Sequence, residues 1–201
     1  MSSKGKKANR GNALRKLMRA VPESQTIFNT LIGLGDNFWT IDPSKDRTAA
    51  IMGASFLEYA LKKAICEHFK SDVADPEFNY LFESDDAPYR EFASRIRLAR
   101  AVGVINKSEY DQLEALRLIR NAFAHTMTEV SFQTKEIADY FEDLKILDDS
   151  EAFKILVEVF APKYSLLGMM PGDKANRMAY AHAVFLLYWK LTVPSVIIPG
   201  F

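Results

Sequence analysis

Apolar residues recur at helical spacing along nearly the whole chain, and no strand-like alternation of apolar and polar positions persists for long. The pattern predicts an all-α bundle of about six or seven helices. Pro22 and Glu23 open a first helix to about Leu34, with Ile27, Leu31 and Leu34 on one stripe and Gly33 and Gly35 loosening its end. Asp46 is placed to cap a long helix from about Arg47 to Phe69, because its carboxylate can accept from the exposed amides of the first turn. Ile51, Phe56, Leu57, Ala60, Leu61 and Ile65 are its expected buried face, and this helix is expected at the centre of the bundle.

Residues 71–86, rich in Asp, Pro, Asn and Ser, suggest a loop with at most one short turn around Phe78 to Phe82. Asp86 then caps an expected helix from Pro88 to about Val102, which Gly103 closes at the left-handed C′ position. Ser108, with Asp111 three residues on, opens the next helix in the manner of a capping box, and that helix runs to Ala124 or His125. Further helices are expected from Thr134 to Leu147, from Ser150 to Phe160 and from Asp173 to Leu191, with breaks at Pro162 and at Pro171-Gly172.

A chain of 201 residues with 48% hydrophobic and 26% charged residues fits one domain able to bury a core without a staple. Cys66 is the single cysteine, so a disulfide framework is excluded, and one thiol with three histidines makes no zinc ribbon or finger. No metal and no cofactor is expected, and the setting is expected to be reducing and cytoplasmic. The apolar run Ala179 to Leu191 is shorter than the roughly 20 residues of a membrane span and carries His182 and Lys190. It suggests a buried core helix, and the N-terminus lacks the pattern of a secretory signal.

The formal net charge is zero, but its distribution is uneven. Lys4, Lys6, Lys7, Arg10, Arg15, Lys16 and Arg19 face no acid within the first 19 residues, which leaves about −7 for the remainder. Residues 1–20 therefore form an expected flexible basic arm on an acidic body spanning residues 21–201. Such an arm can hold RNA or DNA by counterion release; the alternative is a solubilising extension that touches nothing.

There is no phosphate-cradling glycine loop, nucleophile elbow or paired-histidine metal motif. The segment that remains is Leu116-Arg117-Leu118-Ile119-Arg120-Asn121-Ala122-Phe123-Ala124-His125. On an ideal helix Glu114, Arg117, Asn121 and His125 fall within an arc of about 80°, so a polar stripe crosses an otherwise apolar helix. Arg120 stands about 140° from His125, and the two meet only if the helix end unwinds or the guanidinium reaches around. The plainer alternative is that His125 serves the helix C-terminus through the dipole and Arg120 pairs with a carboxylate elsewhere.

Arg120-Asn121 followed by His125 resembles the Arg-polar-x-x-x-His signature of the HEPN superfamily, all-α domains that include metal-independent endoribonucleases. The run Arg95-Ile96-Arg97-Leu98-Ala99-Arg100 to Asp111, and Asp46-Arg47-Thr48-Ala49-Ala50 into Ser55-Phe56-Leu57-Glu58, are similar to the mannitol operon repressor (MltR-like) family. This resemblance covers roughly residues 45–145. It implies a homodimer. In catalytic members it implies that a histidine such as His125 moves protons while an arginine such as Arg120 holds the phosphate of an RNA whose 2′-hydroxyl attacks, a division suited to a histidine pKa near 6.5. Only one such histidine stands in each chain, so acid and base would need two copies. Members of the mannitol-repressor branch act as regulators, and the resemblance implies a link to transcription or RNA control. No basic second helix follows a short glycine turn, so a helix-turn-helix reader is not expected, and a DNA-binding partner protein or a plain interaction scaffold stay open.

The same Arg-x4-His spacing recurs at Arg177 and His182, where Met178 breaks the polar pattern and aromatic neighbours suggest packing. Glu58 could orient Arg117, Arg120 or His125, or be a solvated acid or an ordinary ion-pair partner. His68 suits a surface position at a helix end, and Cys66 an inert core position.

Overall fold

The computed structural model describes residues 43–70, 75–143 and 172–192. They form six α-helices and, among the described residues, no strand: α1 (Pro43–His68), α2 (Pro76–Glu83), α3 (Phe92–Ala101), α4 (Lys107–His125), α5 (Lys135–Asp143) and α6 (Gly172–Thr192). The all-α expectation holds. The basic arm, the expected helices at 22–34 and 150–160, the end of the one expected to Leu147, and the breaks at Pro162 and Pro171 lie outside the described residues.

As expected, α1 is central, packing on α6, α4 and α3. Tertiary contacts fix the directions. Asp46 pairs with Arg177, the Tyr180 hydroxyl donates to the Ala50 carbonyl at 2.7 Å and Lys63 Nζ donates to the Thr192 carbonyl at 3.5 Å, so α1 and α6 run parallel. Arg47 Nη2 donates to the Thr126 carbonyl at 3.1 Å and Lys190 pairs with Glu109, which makes α4 antiparallel to both. Leu57, Leu61 and Ile65 of α1 meet Leu113, Leu116, Ile119 and Phe123 of α4 and Tyr180 and Val184 of α6 in one buried cluster. Each such side chain is worth about 1.5–3 kcal/mol of hydrophobic stabilisation, which outweighs the weak intrinsic helix preference of β-branched residues. Phe132, in the turn before α5, closes the end of this cluster with ring centroids 4.9 Å from Phe123, 5.0 Å from Tyr180 and 5.8 Å from Phe141.

Several helix ends differ from expectation, each for a local reason. Asp46 is not a cap: α1 starts at Pro43, and the Asp46 carboxylate, already inside the first turn, serves the Phe132 amide at 3.0 Å and the Arg177 guanidinium. Ile51 is exposed rather than buried, lying outside the part of α1 that the other described helices cover. The single turn expected near Phe78 is the full helix α2, whose first amides, at Glu77 and Phe78, donate to the Asp75 carboxylate at 2.9 and 3.4 Å. Asp86 does not cap α3, which begins only at Phe92; its carboxylate instead accepts from the Tyr80 hydroxyl at 2.9 Å. The capping box of α4 is Asn106 with Glu109, closed by reciprocal bonds of 2.9 and 2.7 Å, two residues ahead of the expected Ser108 and Asp111. Gly103 does close α3 with φ 81°, and the Gly103 and Val104 amides donate back to Arg100 and Ala99 in a Schellman motif.

Candidate functional site on the fourth helix

The polar stripe is presented by a helix that does not unwind. α4 stays regular through His125, the Thr126 amide still donates to Ala122 at 3.1 Å, and Arg47 of α1 covers the following carbonyls of Thr126 and Thr128 at 3.1 and 3.4 Å. The angle of about 140° between Arg120 and His125 is therefore kept. Arg120 is half-buried, and its charge acts on the Glu58 carboxyl of α1 and on the Tyr180 phenol of α6. Arg120 Nη1 donates to Asn121 Oδ1 at 3.0 Å. His125 is exposed, and its side chain makes no hydrogen bond or ion pair among the described residues. Arg117 gives Nε and Nη2 to the Glu114 carboxylate at 3.0 and 2.7 Å, so it is engaged on its own helix. Arg120 and Asn121 are thus bonded to each other and the Arg120 charge acts on Glu58, while Arg117 is engaged with Glu114 and His125 is exposed.

Burial dominates the electrostatics of this cluster. Desolvation pushes the Glu58 carboxyl above its usual value, and the guanidiniums of Arg95 and Arg120 pull it back only in part. Its carboxylate has no hydrogen-bond or ion-pair contact among the described residues. Burial likewise pushes the Tyr180 phenol up, so it stays protonated and donates to Ala50.

The second Arg-x4-His match is taken up by packing. Arg177 is buried against Asp46, and burial pushes the His182 imidazole down from its ordinary value. Asn176, beside it, donates to the Phe132 carbonyl at 2.9 Å and helps hold the turn after α4. His68 is exposed at the end of α1, and Cys66 is buried. The seven arm cations lie outside the described residues. Among the described residues there is no cluster of three or more metal-ligating side chains, and no helix is long and apolar enough to cross a membrane.

Arg95 was not foreseen as a site residue. It is buried, donating Nε to the Tyr89 carbonyl at 2.9 Å, Nη1 to the Glu58 backbone carbonyl at 3.3 Å and Nη2 to the Phe82 carbonyl at 3.3 Å. A signal existed in the sequence: Arg95 sits with Phe92, Ile96 and Ala99 at the i, i+3, i+4, i+7 spacing of a buried face.

The profile of the mannitol repressor family matches residues 51–184, from α1 into α6. The chain belongs to the mannitol repressor family. Two mannitol operon repressors of Escherichia coli, from strains K12 and O6:H1, are each 29% identical to it over 101 residues, 49% of this chain and 51% of theirs. The chain therefore spans about half the length of the curated relatives it matches. An X-ray structure of the MtlR-HPr complex from Escherichia coli shares the fold, with a TM-score of 0.55 and 21% identity over 83% of this chain and 99% of that one. These matches carry the mannitol-repressor part of the resemblance; the HEPN assignment rests on Arg120, Asn121 and His125 alone.

Proposed function

We propose that this member of the mannitol repressor family is a non-enzymatic regulator linked to transcription, acting as a cytoplasmic homodimer through protein contact and without a helix-turn-helix of its own. The observation that supports this best is the family match across residues 51–184, which takes in the bundle from α1 to α6. The structural neighbour is a complex with HPr, and HPr is accordingly the first partner to try. The position of Arg120 also favours this reading over the ribonuclease. A guanidinium bonded to Asn121, on a residue about 140° around α4 from His125 and without a hydrogen bond to it, does not form a phosphate-holding and proton-moving pair within one chain. The basic arm gives the regulator a sequence-independent hold on RNA or DNA.

The test is a titration of the full chain with HPr by calorimetry, alongside incubation with single-stranded RNA in chelator. Saturable HPr binding and intact RNA support the proposal. Cleavage that is lost in both His125→Ala and Arg120→Ala, without HPr binding, replaces it with the metal-independent ribonuclease. Deleting residues 1–19 should weaken nucleic-acid binding and flatten its salt dependence; an unchanged slope would reduce the arm to a solubiliser.

A further inference from the structure

α2 is the least integrated of the described helices. The other five pair closely with one another, whereas α2 forms no comparable pair. It is anchored mainly at its C-terminal end. Glu83 pairs with Lys62 of α1 at 2.9 Å, the Phe82 carbonyl accepts from Arg95 Nη2 at 3.3 Å, and the Leu81 carbonyl accepts from the Tyr89 amide at 3.1 Å. The Phe82 ring is fully buried, with Lys62 Nζ 5.7 Å and the Arg95 guanidinium 5.6 Å from its centroid, both within cation–π range.

The surface that this end covers is charged. Lys62 and Arg95 are both buried, and Glu58 lies one turn before Lys62 with Arg95 as the leading charge acting on it. Arg95 spends its hydrogen bonds on the carbonyls of Tyr89, Glu58 and Phe82. Two buried cations thus share the ring of Phe82, and Glu83 is the carboxylate that α2 brings to them. An eight-residue helix has little stability of its own, so what lifting it costs is these contacts together with the burial of Phe82 and the packing of Phe78 and Leu81 against the core.

We propose that Phe82 and Glu83 are a self-docked occupant: α2 lifts as a unit, and the Lys62–Arg95 floor then takes a partner polypeptide segment carrying an aromatic side chain next to a carboxylate. The partner is defined by that chemistry and is independent of whether HPr binds. The uncovered floor offers an apolar slot of the size of a phenyl ring flanked by two guanidinium or ammonium donors, which complements such a segment in both shape and charge. In the free protein the chain's own Phe82-Glu83 competes for it.

Hydrogen exchange on the full chain and binding of a labelled peptide of sequence Asp75 to Glu83 test this together. The amides of 79–83 should exchange through a local opening, with less protection than those of α1, α4 and α6. Glu83→Gln should speed them by roughly twofold to tenfold while leaving the three core helices unchanged. The peptide should bind the Glu83→Gln protein more tightly than wild type, and a peptide with glutamine in place of its final glutamate should bind more weakly. Equal protection of α2 and the core helices overturns the proposal, as does a pair of peptides that bind alike or not at all.

Discussion

Replacing Gly53 by alanine sets two effects of opposite sign against each other on α1. A Cβ at this position would stand 2.8 Å from Tyr180 Cε1 and 3.0 Å from both Tyr180 Oη and Val184 Cγ2. Tyr180 cannot swing aside cheaply, because it is fully buried and its hydroxyl is held by the Ala50 carbonyl at 2.7 Å. Alanine gains about 1 kcal/mol over glycine in a helix interior. Overpacking costs about 1–3 kcal/mol, and loosening the Tyr180 hydrogen bond adds about 1 kcal/mol. The net is a destabilisation of about 1–3 kcal/mol, which for a domain of this size lowers Tm by roughly 2–12 °C. Urea and thermal unfolding followed by far-ultraviolet circular dichroism measure it. Ser55→Ala is the control: its side chain is exposed on the same helix and bonds only back to Ile51, so the change should be neutral or slightly stabilising. A Gly53→Ala protein as stable as wild type would refute the reasoning, and with it the close packing of α1 on α6.

Asp46→Ala removes the carboxylate shared by the buried Arg177 guanidinium and the Phe132 amide, and should cost about 1–3 kcal/mol in denaturant unfolding, more than an exposed ion pair such as Lys107–Asp111. Glu58→Gln should stabilise the protein at neutral pH. The folded-state pKa of Glu58 is raised, so folding is penalised once the carboxyl ionises and the penalty vanishes below the ordinary value of 4.5; a Tm difference between variant and wild type that fails to shrink from pH 7 to below pH 4.5 contradicts this. His182→Ala should lower Tm more than His125→Ala, with a stability loss of about 1–3 kcal/mol against less than about 0.5 kcal/mol, since His182 is desolvated in α6 and His125 is exposed. Any RNA-dependent activity should disappear with His125→Ala and survive His182→Ala.

What could be foreseen in the sequence was whatever a helix specifies within itself. Gly103 marks the end of α3 because only a left-handed residue completes that turn at low cost, and α4 ends where its apolar rows end, at His125. Caps were less legible, since several side chains in a row can serve. Asn106 with Glu109 wins over Ser108 with Asp111 because the longer Glu side chain reaches back to the cap amide, and Asp111 is left for Lys107. Asp46 and Asp86 look like caps but bond across the fold or across a turn, and no local rule announces a partner 131 residues away such as Arg177. The candidate site was legible as a stripe. Its residues stand where the helical angle puts them, but that the Arg120 charge acts on Glu58 depends on how α1 packs on α4.

The parallel pairing of α1 with α6 has a consequence for synthesis. α1 ends at His68 and α6 starts at Gly172, so the face of α1 that carries Ala50 and Gly53 waits for about a hundred further residues before its cover exists. At roughly 5–20 residues per second that interval is about 5–20 s. During it α4 can fold back on α1, being nearer along the chain, while the groove for Tyr180 and Val184 stays open on the ribosome. The last long helix described is therefore the one that closes the core.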